Sequence, residues 1–258
     1  MKRVLLICAI FSTILTLGAC SRVETTPEPT PIPPPPEPSA VPPTVPPEPA
    51  IEPSPIPTEI PENQIFRDDF VGELQPGWEW ENENPTLWTI TDDGWLQITG
   101  EDISLLSGHP QSNLLWRDLP SGDFIVTIHL KTQPLSNFQQ ATLYLYEDIE
   151  NYVALNRGFC DLCVDGGNAF YFEFKIGGAS GSYNKPTDAT DVYIRLTREG
   201  DIISGFYAFE ADQWERIGRY GGSYFDFKLV GIGVTNSDGK ELEGDLVGQF
   251  DYFEITKP

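Results

Sequence analysis

Phe124-Ile125-Val126-Thr127-Ile128-His129-Leu130-Lys131 sets apolar Phe124, Val126, Ile128 and Leu130 against Ile125, Thr127, His129 and Lys131. Successive side chains of an extended chain point to opposite sides, so a period of two gives a strand with one buried face. The pattern recurs. Ala141, Leu143 and Leu145 alternate with Gln140, Thr142, Tyr144 and Tyr146; Phe170, Phe172, Phe174 and Ile176 with Tyr171, Glu173 and Lys175; Val192, Ile194 and Leu196 with Tyr193, Arg195 and Thr197. No stretch after Phe66 keeps a helical period for three turns. Turn signals at Asp92-Asp93-Gly94, Glu147 to Asn151, Glu199-Gly200-Asp201 and Ser237-Asp238-Gly239 punctuate the runs, which predicts hairpins and roughly a dozen strands. Short antiparallel strands with one inward face each pack as two sheets, so residues 64–258 are expected to form an all-β sandwich.

Outward from that domain the chain changes character. Of its 24 prolines, 17 lie between Pro27 and Pro61, whereas 30 of its 31 aromatic residues follow Gln64. Between Ser21 and Asn63 there are seven glutamates, one arginine and no aromatic residue, so nothing there can bury a core. Runs such as Pro33 to Pro36 favour polyproline II; at ~3.1 Å per residue, this disordered linker would reach on the order of 130 Å when fully extended. A solvated spacer without a partner and a Pro-rich ligand for another protein are both compatible with it. Acidic residues outnumber basic ones 39 to 16, for a formal net charge of -23. A polyanion repels phosphate backbones, which argues against nucleic acid as a partner.

Lys2 and Arg3 precede an apolar run from Val4 to Leu17. Such a run is too short to cross a bilayer core of ~30 Å as a helix, so residues 1–19 read as an export signal. Leu17-Gly18-Ala19-Cys20 resembles the lipobox of bacterial lipoproteins. The resemblance implies cleavage before Cys20, lipid on that cysteine, and residence on the extracytoplasmic face of a bacterial cell envelope, with residues 20–63 as lipidated tether. An ordinary secretory signal with an incidental Cys20 is the alternative.

The domain opens with Phe66-Arg67-Asp68-Asp69-Phe70, Trp78-Glu79-Trp80, Asn84-Pro85 and Trp88. Later come Asp93-Gly94-Trp95-Leu96, Leu143-Tyr144-Leu145-Tyr146 with Asn151-Tyr152, Trp214-Glu215-Arg216-Ile217-Gly218 and Phe250-Asp251-Tyr252-Phe253. This order resembles the concanavalin A-like domain at the C-terminus of family 43 β-xylosidases and in related stand-alone bacterial proteins. The resemblance implies a jelly-roll sandwich that is accessory in the xylosidases, whose catalytic carboxylates sit on a separate propeller. It also implies that Trp80, Trp88 and Trp214 pack in the core, leaving Trp78, Trp95 and Trp116 undecided. Sandwich glucanases of the same fold carry a structural calcium, and the matching donors here are the carbonyls of Asp69 and Gly94 and the side chain of Asp251; oxygen donors suit that ion.

Catalytic chemistry finds little support. Glu147-Asp148-Ile149-Glu150 misses the alternate-residue register of glucanase carboxylates and falls on a turn, whereas a retaining pair must be held rigidly ~5 Å apart. With two histidines, His109 and His129, and no Gly-x-Ser-x-Gly or His-Glu-x-x-His pattern, the common hydrolase arrangements are missing. Cys160 and Cys163, exported together, are expected to form a disulfide; a redox Cys-x-x-Cys or a zinc site would need a helix N-terminus or two further ligands. His129, Gln140, Tyr144, Tyr146, Tyr171, Glu173, Tyr193 and Arg195 all oppose core-facing neighbours. Tyrosines, amides and few charges suit a neutral polyol, although an ordinary solvated face would look similar. A monomeric, non-catalytic module for oligosaccharides, polysaccharides or other surface partners is therefore expected. The alternatives are a glycoside hydrolase with an unrecognised carboxylate pair and a structural envelope protein.

Overall fold

The computed structural model describes residues 61–102, 111–222, 226–236 and 244–258. The export signal, Cys20, the linker as far as residue 60, His109 and the Ser237-Asp238-Gly239 turn lie outside the described residues.

Fifteen strands, numbered in chain order, form two antiparallel sheets among the described residues. The first sheet runs β13 (Glu215–Gly221), β12 (Ile202–Ala208), β11 (Asp191–Glu199), β6 (Phe124–Thr132), β15 (Val247–Thr256), β4 (Leu96–Thr99) and β3 (Trp88–Ile90). Strand β1 (Gln64–Asp68) also pairs with β15. The second runs β10 (Ala179–Pro186), β9 (Asn168–Ile176), β8 (Asn151–Phe159), β7 (Gln140–Asp148), β14 (Leu229–Thr235), β5 (Leu114–Asp118) and β2 (Glu79–Glu81). The expected sandwich is thus present, with the hairpins β3–β4, β7–β8 and β11–β12 at the anticipated turns.

The core lies between the sheets. Phe124, Val126, Ile128 and Leu130 of β6 share one buried cluster with Leu143 and Leu145 of β7, Phe170 and Phe172 of β9, and Val192, Ile194 and Leu196 of β11. Removal of this apolar surface from water is the main force holding the sheets together. Trp80 and Trp88 pack against the cluster, with ring centroids 4.7 Å apart. Trp78 also joins the core, edge-on to Phe66 and Phe253. Trp214 does not: it lies beneath Arg195, whose guanidinium carbon is 3.8 Å from the ring centroid. The expectation of a core role for Trp214 is corrected because an aromatic can bury its face under a cation as well as among apolar side chains.

One end of the core is closed by a charge. Arg157 continues the inward register of Val153 and Leu155 and is 1% exposed. Its guanidinium donates to the carbonyls of Ala189 (2.9 Å) and Gly158 (2.9 Å) and to Asn168 Oδ1 (2.9 Å). Burial pushes its pKa down to about 10, because the charged form loses its hydration. Close by, Cys160 and Cys163 are joined by a disulfide. The pinned loop returns through a Cys160 N–H bond to the Gly167 carbonyl (2.8 Å), and the Tyr171 hydroxyl donates to that same carbonyl (2.7 Å).

Candidate functional site

The sequence-derived candidates divide between two surfaces on opposite sides of the sandwich. His129, Tyr193 and Arg195 stand on the outer face of the first sheet; Gln140, Tyr144, Tyr146, Tyr171 and Glu173 stand on that of the second. A single face combining Gln140, Tyr144, Tyr171 and Arg195 does not exist. Alternation reports inside against outside, but sheet membership depends on long-range pairing, which puts β11 beside β6 and β7 beside β14.

On the first sheet the polar groups are largely occupied with one another. His129 Nδ1 is 2.9 Å from Asp251 Oδ2 and its Nε2 is 2.6 Å from Asp191 Oδ1. Its ring stacks on Tyr193 at 4.2 Å and lies 5.2 Å from Trp95. Lys131 covers Trp95 (4.2 Å) and Arg67 covers Tyr252 (4.1 Å), while Arg195 Nε donates to Thr127 Oγ1 (2.9 Å). Burial pushes the Asp191 carboxyl up, but hydrogen bonds and charge from His129 and Lys131 outweigh it and hold the group below its usual range. Aromatic faces already capped by cations are poor platforms for a sugar ring. A bulge between Phe250 and Tyr252 leaves Asp251 facing His129. The Asp69 carbonyl oxygen is 3.7 Å from where a Cβ on Gly94 would sit. The calcium donors are therefore juxtaposed in part, with one Asp251 oxygen already committed to His129; calcium at this place remains what the fold resemblance implies.

The second sheet is different. Its outward positions read across the strands as Gly233, Thr142, Asn156 and Tyr171 in one row, and Gly231, Tyr144, Ala154 and Glu173 in the next. Thr235 stands beside Gln140 in the row beyond. Gly231 and Gly233 are bare so that Trp116, Leu114 and the Gln111 amide can lie directly over the backbone. Tyr144 is consequently buried despite pointing outward, in a satellite cluster with Leu114, Trp116 and Ala154. Burial pushes its phenol up to about 12. The expectation that Tyr144 is a solvent-facing contact is corrected here.

Among the described residues, six buried side-chain polar atoms lack a hydrogen-bond partner. Two belong to Arg117, stacked on Phe66, and one to Trp214. The other three are Thr142 Oγ1, Asn156 Oδ1 and Thr235 Oγ1, all on this one surface. Thr142 and Asn156 are direct cross-strand partners. Neither threonine hydroxyl makes a bond of good geometry, but both come close enough to the Tyr144 hydroxyl to hydrogen-bond with it and oppose the effect of burial. That hydroxyl is also 3.5 Å from Gln111 Oε1. The line ends at Glu173, whose Oε2 accepts a bond from Asn156 Nδ2 (3.1 Å). Burial pushes the Glu173 carboxyl above the ordinary glutamate value, against the smaller opposing effect of that bond. A polar seam thus crosses β14, β7, β8 and β9. It is bounded by Gln111 at one end and, beyond Tyr171, by the disulfide loop.

Sequence reasoning found Tyr144, Tyr171 and Glu173 but missed Gln111, Thr142, Asn156 and Thr235. The legible signal was Gly231-Ile232-Gly233 inside a strand, which marks a close approach. Glu147, Asp148 and Glu150 sit at the β7–β8 hairpin, where Asp148 accepts bonds from the Glu150 N–H (2.8 Å) and Asn151 Nδ2 (3.0 Å). Glu150 pairs with Lys175. Their bonds brace a turn.

The model of the β-xylosidase C-terminal concanavalin A-like domain matches residues 67–256. The chain belongs to that family. Among solved structures, a family 43 glycoside hydrolase from Bacillus licheniformis is 17% identical, with 78% of this chain and 40% of that chain covered at a TM-score of 0.63. A xylan β-1,4-xylosidase from Bacillus halodurans is 22% identical over 78% of this chain and 41% of its own, at a TM-score of 0.61. A β-glucanase from Bacillus licheniformis, 10% identical, is covered over 98% of its length at a TM-score of 0.55. At these identities the shared property is the fold. This member of the xylosidase C-terminal family spans about two fifths of the length of the first two enzymes. No curated protein matches it.

Proposed function

We propose that the chain is a glycan-binding module, and that its site is the polar seam on the outer face of the second sheet. The observation that carries this reading is a buried polar row in which Asn156 Oδ1 has no partner and the Thr142 and Thr235 hydroxyls have only the Tyr144 hydroxyl, in line with the Glu173 carboxyl. Each buried polar atom without a partner costs about 1–3 kcal/mol, which a bound group offering both donors and acceptors would recover. Sugar hydroxyls offer both. The atoms are closed to bulk water, so side chains over them must move as the ligand enters. Support also comes from the family, whose name refers to β-xylosidases, and from the xylan β-1,4-xylosidase among the structural neighbours.

Titration of the full chain with xylo- and gluco-oligosaccharides should give Kd on the order of 10⁻⁵ to 10⁻³ M, the ~4 to 7 kcal/mol that a few contacts on one face supply. Thr142→Val and Thr235→Val keep shape and remove the hydroxyl. Each should weaken binding about 5- to 10-fold, equivalent to one neutral hydrogen bond, with only a small fall in melting temperature from the loss of its contact with the Tyr144 hydroxyl. Unchanged affinity with a raised melting temperature would mean that the seam is merely an imperfectly satisfied surface. Binding without release of reducing sugar is expected, and turnover of the bound oligosaccharide would move the assignment to the hydrolase alternative.

The remainder of the proposal concerns address. Lipid on Cys20, with residues 20–63 as spacer, would hold the module at the extracytoplasmic surface of a cell envelope. The wild-type chain should partition into detergent and Cys20→Ala should not; recovery of both in the aqueous phase would remove the anchor.

A further inference from the structure

The glycan-binding reading of the seam has a consequence for which sugars it admits, and rests on that reading. Glu173 is set among neutral groups: Ala154 opposite on β8, Asn156 as its hydrogen-bond donor, and the phenols of Tyr144, Tyr152 and Tyr171 as the ionisable neighbours from β7, β8 and β9. The nearest cations along these strands are engaged elsewhere. Lys175, at the next outward position of β9, holds Glu150 Oε1 at 2.7 Å. Arg157 on β8 points inward, and its nitrogens donate to backbone carbonyls and Asn168.

We infer that the seam selects neutral sugars and rejects acidic ones, with Glu173 as the selecting group. A carboxylate on the ligand would sit within a few ångströms of the Glu173 carboxyl, where among the described residues no free cation offsets a second charge, so one of the two groups would have to take up a proton at a cost. The protein as a whole, at -23, adds repulsion rather than relief. A hydroxyl or a bare ring carbon at the same position meets no such penalty and can hydrogen-bond to the carboxyl oxygen that Asn156 leaves open. Selection of this kind works by exclusion.

Three β-1,4-linked probes that differ only at C5 separate these effects: xylotriose (hydrogen), cellotriose (hydroxymethyl) and the triglucuronate (carboxylate). Calorimetric titration of the full chain should give similar affinities for the first two and at least about tenfold weaker binding of the triglucuronate at neutral pH, the scale of one poorly screened charge pair. Glu173→Gln should keep the neutral affinities within about threefold and narrow the gap correspondingly, since it removes the charge and keeps an acceptor. Equal binding of cellotriose and triglucuronate by the wild type, or an unaltered gap in Glu173→Gln, would overturn the selectivity while leaving glycan binding intact. Failure of all three probes would sink the glycan reading itself and the selectivity with it.

Melting curves supply an independent readout. A carboxyl whose folded-state pKa is raised stabilises the fold fully below the ordinary glutamate value, and that contribution is lost as pH rises through the folded value. Glu173→Gln should therefore melt higher than the wild type at about pH 8 and no higher at about pH 4. Identical curves at both would show that Glu173 is solvated like any surface acid, and the exclusion would fail.

Discussion

Tyr144→Ala is expected to lower the unfolding free energy by about 3 kcal/mol, within the usual range for removing a buried aromatic ring. Tyr144 is 0% exposed, and its ring packs against Trp116 at 5.7 Å and beside Leu114 and Ala154. Gly231 opposite has no side chain that could move in to fill the hole. Tyr144→Phe isolates the hydroxyl, which should be worth about 1 kcal/mol, since its bond to Gln111 is long at 3.5 Å and its contacts with the Thr142 and Thr235 hydroxyls are of poor geometry. Urea unfolding with an unchanged slope reads both losses. A stability change below about 0.5 kcal/mol for Tyr144→Ala, typical of exposed positions, would show that the ring is not packed as described. This variant therefore cannot serve as a clean binding probe, and the two threonine-to-valine changes take that role.

Gly231→Ala should be of similar or greater effect, about 3 kcal/mol, because overpacking here cannot relax. A Cβ at this position would overlap both the Trp116 ring and the carbonyl oxygen of Leu115. The ring could rotate, at the cost of its stack on Tyr146 and of its Nε1 bond to Glu81 (2.6 Å). The carbonyl belongs to β5, which is paired with β14 through this very row, so it cannot retreat without breaking the ladder. Gly221→Ala is the control: a Cβ there meets only ordinary contacts at 3.8 Å, and the expected change stays within about 0.5 kcal/mol. Equal melting temperatures for the two variants would refute the close approach at Gly231.

Both results concern a surface that periodicity marks as outward. Tyr144 alternates correctly with Leu143 and Leu145, yet it is as buried as they are. What separates it from Tyr146, which is partly open on the same strand and paired with Leu229, is that its partner on β14 is the bare Gly231, which lets Trp116 of β5 close over it. These neighbours lie more than 80 residues later and about 30 earlier in the chain. Local pattern carries no information about such neighbours. Trp214 and Arg195 make the same point: the family resemblance put one in the core and alternation put the other on an outer face, and the contact between them settles both.

The amino-acid sequence by itself determined that the domain is built of strands, where the β3–β4, β7–β8 and β11–β12 hairpins lie, and which side chains of β6, β7, β9 and β11 enter the core. A period of two needs only the chirality and extension of the local backbone. Resemblance in motif order sufficed for the family as well. Only the tertiary structure decided which strands share a sheet, and therefore that His129 and Arg195 stand apart from Tyr171 and Glu173. It alone assembled the seam of Gln111, Thr142, Asn156 and Thr235, unremarkable residues one by one. Hydrogen-bond satisfaction and desolvation depend on what surrounds an atom in three dimensions, and here those surroundings come from four strands separated by up to about a hundred residues.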